Sequence, residues 1–147
     1  MHLPTEVRDN PFFRSMSDGQ VNTLLALATE RNFDGGDTLV RQFDRQSDVM
    51  IVVRGKVAIK AFSGDVIAEL GPGGVIGEVS LVDDASRSAT VVAVGSGSLA
   101  VLSSDKLRAT IDADTALKAL VMENVARILC ARLRAANVHL DAASSRH

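Results

Sequence analysis

The chain has 147 residues, 46% hydrophobic and 23% charged, with 16 Lys plus Arg against 18 Asp plus Glu for a net charge of -2. That length and balance fit one soluble globular domain and exclude a disordered chain, and without a basic surplus a general nucleic-acid binder is not expected. One cysteine, Cys130, and three histidines, His2, His139 and His147, leave no disulfide framework, no Cys-rich zinc site and no imidazole in the body of the chain for a hydrolase triad or a metal-binding β-roll enzyme.

Asn10-Pro11 reads as an N-cap followed by proline at the first helical position, opening a short turn through Phe12 and Phe13. Ser17 to Gln20 has capping-box spacing, and Val21, Leu24, Leu25 and Ala28 then recur on one face, so an amphipathic helix is expected over residues 18–30. Phe33-Asp34-Gly35-Gly36-Asp37 stops it. From there short β-branched runs predict strands near 38–42, 48–53, 56–62, 66–70, 88–94 and 98–102, with Ser63-Gly64 as a hairpin turn and Gly71-Pro72-Gly73-Gly74 as a stronger one. Six or seven short strands at this spacing suggest a closed or rolled antiparallel sheet.

The helical period returns in the last third. Ser103 or Ser104 caps a short helix over 105–111, and Asp114 caps a longer one whose Leu117, Leu120, Val121, Val125, Ile128, Leu129, Leu133 and Ala136 make one stripe. A stripe of that length is expected either to meet another chain, giving a homodimer, or to pack on its own roll. Residues 141–147 carry no pattern and are expected to fray. No apolar run approaches the roughly 18 residues of a bilayer span. The N-terminus lacks the layout of a signal peptide, so a cytoplasmic protein is expected.

The informative segment is residues 71–94, where a glycine-rich turn, Gly77-Glu78, a helix-length apolar stretch and Arg87-Ser88-Ala89-Thr90 lie between two strands. Gly77 permits a positive φ or a close backbone approach. A single helical turn starting there aims N–H groups at an anion. Arg87 can fork two donors onto one phosphate, and a single arginine with backbone donors suits a phosphodiester better than a triphosphate. Glu78 then faces a hydroxyl donor, since two anions repel. The competing reading of Glu78 and Arg87 is a surface ion pair in a loop, and that of Gly77 and Ser88 a simple turn requirement.

This segment resembles the phosphate-binding cassette of the cyclic-nucleotide-binding domain family, which includes bacterial catabolite activator proteins, kinase regulatory subunits and cyclic-nucleotide-gated channels. The family pattern is Phe-Gly-Glu, a short helix, then Arg-(Ser/Ala/Thr)-Ala, and here Glu78 and Arg87 stand nine positions apart as the pattern requires. Gly55 between two strands and Gly71-Pro72-Gly73 before the cassette extend the match to about residues 10–138. Ile76 replaces the usual Phe, Ser86 stands where Pro is frequent, and Gln42-Phe43-Asp44 replaces a Gln-Gly-Asp turn.

The resemblance implies a mainly β fold with flanking helices: an antiparallel β-roll, double-stranded and jelly-roll-like, with N-terminal helices and two C-terminal helices. It implies one domain over 1–147, helical at 10–32, rolled at 33–103 with the cassette at 76–90, and helical again at 104–140, with no output domain visible. The ligand would be cAMP first and cGMP second, with no further cofactor and no metal. Glu78 would accept from the ribose 2′-OH and Arg87 would pair with the cyclic phosphate, with Gly77, Val79, Ser88 and Ala89 completing the ligand-binding set. Arg132, Leu133, Arg134 and Asn137 on the last helix are the candidates for a lid over the base, against the alternative of a solvated helix face.

The expected function is therefore a non-enzymatic regulatory module in which ligand draws the C-terminal helix onto the cassette and an effector protein reads the change. The alternatives are a ligand-free dimerising or docking domain of the same fold, or a regulatory fragment of a larger bacterial transporter or enzyme. Direct DNA binding is not expected, since too few residues follow the long helix for a helix-turn-helix.

Overall fold

The computed structural model describes residues 5–40, 48–83 and 89–144. A short helix α1 (Thr5–Arg8) leads into a 3-10 turn at Pro11–Phe13, with Asn10 as its N-cap accepting from the Phe12 N–H at 2.7 Å. Helix α2 (Asp18–Leu25) starts on the expected capping box: Ser17 Oγ accepts from Gln20 N–H at 3.1 Å and Gln20 Oε1 from Ser17 N–H at 2.9 Å.

The expected helix over 18–30 is too long. It stops at Leu25, and residues Ala28–Phe33 form strand β1, paired antiparallel to residues 97–102 from Ala28 opposite Leu102 to Phe33 opposite Gly97. Thr29, Glu30, Arg31 and Asn32 are all exposed on this edge strand, so the sequence shows no alternation to announce it. Partnering decided its conformation.

The remaining strands are β2 (Thr38–Val40), β3 (Val49–Arg54), β4 (Val57–Lys60), β5 (Val66–Leu70), β6 (Val75–Ile76), β7 (Thr90–Ala93) and β8 (Gly97–Leu102). They build two four-stranded antiparallel sheets in the orders β1-β8-β3-β6 and β2-β7-β4-β5. The run expected at 56–62 is trimmed at both ends, that at 48–53 is displaced by one residue, and those at 38–42 and 88–94 extend into residues outside the description; β6, two residues paired to Met50 and Ile51, was not expected at all. The Gln42-Phe43-Asp44 turn lies outside the described residues.

Strand β3 explains how the layers stack. Met50 and Val52 point between the sheets to meet Phe33, Leu39, Val57, Val91 and Leu99, while Val49, Ile51 and Val53 point outward to meet the helices. A strand covered on both faces needs apolar residues at every position, which is why Val-Met-Ile-Val-Val reads as an uninterrupted run. Gly55 follows it at φ +87, where a Cβ would stand 2.7 Å from the Ser96 carbonyl oxygen. Another residue there would combine left-handed strain with a backbone clash.

Helices α3 (Ser104–Asp112) and α4 (Thr115–Ser144) cover the outer face of the first sheet. Leu107, Ile111, Leu117, Val121 and Val125 are buried there with Phe12, Leu24 and Leu102. Asp114 Oδ1 accepts from Leu117 N–H at 3.1 Å, as expected of its cap position. Of residues 141–147, expected to fray, 141–144 continue α4 and 145–147 lie outside the described residues. Asp141-Ala142-Ala143-Ser144 contains neither Gly nor Pro, and extending an existing helix adds a hydrogen bond for each residue fixed.

Candidate functional site

The glycine turn and β6 deliver the cassette to a fixed place. Gly73 N–H donates to the Val52 carbonyl at 2.8 Å and Val52 N–H to the Gly74 carbonyl at 2.9 Å, carrying the β3–β6 ladder back into the turn. Val75 then packs among the helix-facing core and Ile76 between the sheets. Gly77 follows at φ +84, the positive value its lack of a Cβ allows, and caps a single 3-10 turn at Glu78–Leu81. Leu81 anchors that turn in the core, and Arg108 of α3 donates through Nη2 to its carbonyl.

Glu78 has no exposed surface. Its Oε1 accepts from Arg132 Nη1 of α4, and Arg132 Nη2 donates to the Val75 carbonyl at 2.7 Å, so one guanidinium bridges the strand before the glycine and the carboxylate after it. Burying a carboxylate is costly unless a cation and hydrogen bonds accompany it, and Arg132 supplies both from a side chain that is itself 43% exposed. Glu78 is therefore not the surface loop ion pair that the sequence left open.

The other expected site residues divide three ways. Gly77 and Val79 flank Glu78, with Val79 at the surface, and Ala89 lies half-buried just before β7. Arg87 and Ser88 lie outside the described residues. Of the lid candidates, Arg132 reaches the cassette, while Leu133, Arg134 and Asn137 are exposed along α4.

Two polar residues of this region escaped the sequence reading. Arg108, as above, ties α3 to the cassette turn. Asn124, 2% exposed, donates through Nδ2 to the carbonyls of Phe12 and Arg14, both at 2.9 Å, and so pins α4 to the N-terminal 3-10 turn. Its signal was present: an amide lying next to Val121 and Val125 on the buried face of α4 needs a partner. Among the described residues no group of His, Cys, Asp and Glu side chains is arranged to hold a metal ion, and no helix is long and apolar enough to cross a membrane.

A family model described as the cyclic nucleotide-binding domain matches residues 30–114. The cyclic AMP receptor protein of Thermus thermophilus is 32% identical over 139 residues, which are 92% of this chain and 62% of that protein. The N-terminal domain of a transcriptional regulator from Streptomyces coelicolor superposes with a TM-score of 0.76 at 30% identity, covering 91% of this chain and 96% of that one. The regulatory domain of Toxoplasma gondii PKA, solved with cAMP, does so with a TM-score of 0.64 at 29% identity, covering 71% and 41%. The chain spans 20% and 22% of two further curated relatives, so it corresponds to part of their length.

Proposed function

The chain belongs to the cyclic nucleotide-binding domain family, and on that premise we propose that it is a regulatory module binding a 3′,5′-cyclic nucleotide, cAMP first and cGMP second. The observation that carries this reading is the buried carboxylate of Glu78 at the head of a positive-φ glycine turn, nine residues before Arg87. A 3′,5′-cyclic nucleotide keeps one free sugar hydroxyl, the 2′-OH, and a buried carboxylate that must be hydrogen-bonded is suited to read it. Arg87 would fork onto the singly charged phosphate, with Gly77, Val79, Ser88 and Ala89 around the ligand. The preference for cAMP is supported by the name of the Thermus thermophilus relative and by the nucleotide in the Toxoplasma gondii structure.

In this reading the module is not an enzyme. Ligand shifts the position of α4 relative to the cassette, and an effector protein, or another part of a longer chain, reads the shift. The distal part of α4, with Ile128 and Leu129 half-buried and Leu133 63% exposed, is the surface through which two copies would pair. Light scattering at high protein concentration tests that pairing, and a monomeric mass would remove it.

The deciding experiment is calorimetric titration with cAMP and with cGMP, after copurified nucleotide is stripped by unfolding and refolding. The chain has no Trp or Tyr, so residual nucleotide would dominate its ultraviolet spectrum. Saturable binding at micromolar concentration or below is expected for one of the two. A folded protein that binds neither would leave a docking domain that keeps the form of the cassette.

A further inference from the structure

The 3-10 turn at Glu78–Leu81 is four residues long, and Gly77, Glu78 and Val79 at its head are three of the positions proposed to meet the nucleotide. So short a turn makes few hydrogen bonds of its own. The next two N–H groups along the chain, those of Val82 and Asp83, both donate to the Val79 carbonyl, at 3.0 and 2.9 Å. The Leu81 carbonyl, on a residue 2% exposed, accepts from Arg108 Nη2 of α3. A buried carbonyl is costly to leave unpaired, and this one is served from 27 residues away.

Arg108 is well placed to hold it. Leu107 and Ile111, which flank it in α3, have no exposed surface and lie in the helix-facing core. Its i+4 neighbour Asp112 is an acid with which an arginine on a helix could pair. Lys118 takes that carboxylate at 2.8 Å, and the half-buried Arg108 reaches across to the cassette. A charged donor also makes a stronger bond to a carbonyl than a neutral one.

Resting on the nucleotide reading above, we propose that Arg108 is a positioning residue of the ligand site: it fixes the C-terminal end of the cassette turn, so that the N–H groups at its head and the Glu78 carboxylate stand in place before a nucleotide arrives. It acts through the Leu81 carbonyl and not by contact with the ligand. Without that bond the turn adopts other arrangements, the binding-competent fraction falls, and apparent affinity falls with it.

The test compares the wild type with Arg108→Met, which keeps an apolar stem without donors, and Arg108→Lys, which keeps a charged donor. Each is titrated with cAMP and cGMP, and hydrogen exchange of the amides of residues 77–83 is followed with and without saturating nucleotide. Arg108→Met is expected to bind the preferred nucleotide about fivefold to thirtyfold more weakly, the loss that follows when the competent fraction falls to roughly a fifth to a thirtieth. Arg108→Lys is expected to recover most of that loss. Exchange in 77–83 is expected to be faster in free Arg108→Met than in the free wild type, and equal in the two nucleotide complexes, because bound ligand then holds the turn.

Binding by Arg108→Met within about twofold of the wild type, a Lys variant no better than the Met one, or a difference in exchange that persists at saturation overturns the positioning role. So does a Met variant that fails to fold, or faster exchange spread over β3 and β8, since either makes Arg108 a support of the whole fold. If the wild type itself binds neither nucleotide, the reading beneath this proposal falls, and the proposal with it.

Discussion

Arg132 and Glu78 are 54 residues apart in the chain, and one guanidinium from the last helix neutralises the buried carboxylate of the glycine turn while also capping the Val75 carbonyl. The pair joins the cassette after β6 to the distal half of α4. Its consequences can be measured.

The 2′-deoxy analogue of the preferred nucleotide is expected to bind the wild type more weakly by about 1–3 kcal/mol, since the buried Glu78 carboxylate then loses the hydroxyl it would accept from. In Glu78→Ala the ribo and 2′-deoxy forms are expected to bind alike. Equal affinities in the wild type would remove Glu78 from the role of ribose reader.

Arg87→Ala is expected to cost about 2–5 kcal/mol of nucleotide affinity, because it leaves a desolvated phosphate without its cation. Calorimetry checks this, with circular dichroism to confirm the fold. A loss smaller than about tenfold, or 1.4 kcal/mol, would mean that another group anchors the phosphate.

Asn124→Ala is expected to lower stability by about 1–3 kcal/mol, since the Phe12 and Arg14 carbonyls lose a shared donor in a buried place. Urea denaturation measures it, with the exposed Ala126→Ser as a control expected within about 0.5 kcal/mol of wild type. A loss no larger than the control's would mean that α4 is held by its apolar contacts alone.

Asp112 carries a pH signature. A hydrogen bond from Lys118, at 2.8 Å, holds its carboxyl below the ordinary carboxylate value, against a smaller upward push from burial and with help from the charges of Lys118 and Arg108. A carboxyl depressed in the folded state contributes stability that is present above its unfolded value and is lost as pH falls through the folded one. Lys118→Ala is therefore expected to raise the Asp112 midpoint toward its ordinary value in a carbon-detected NMR titration. An unchanged midpoint would place the cause elsewhere.

The local signals in this chain were written in short spans and were legible there. Asn10-Pro11, the Ser17–Gln20 capping box, the Ser63-Gly64 hairpin turn and the positive φ at Gly77 each depend on residues within four positions of one another, where steric limits and local hydrogen bonds dominate. Gly77-Glu78 and its nine-residue separation from Arg87 likewise stand in the sequence alone, and they led to the family.

What the sequence left undecided depended on partners far along the chain. Residues 28–33 could extend α2 or pair with β8, and six antiparallel register positions chose the strand. Four arginine, leucine and asparagine side chains on α4 were equal candidates for the site, and the way α4 packs singled out Arg132, because its turn of the helix passes over Glu78. Asn124 showed only as a polar break in a stripe until Phe12 and Arg14 supplied its acceptors. A side chain's type fixes which bonds it can make, whereas which group stands within 3 Å of it is set by how distant segments pack.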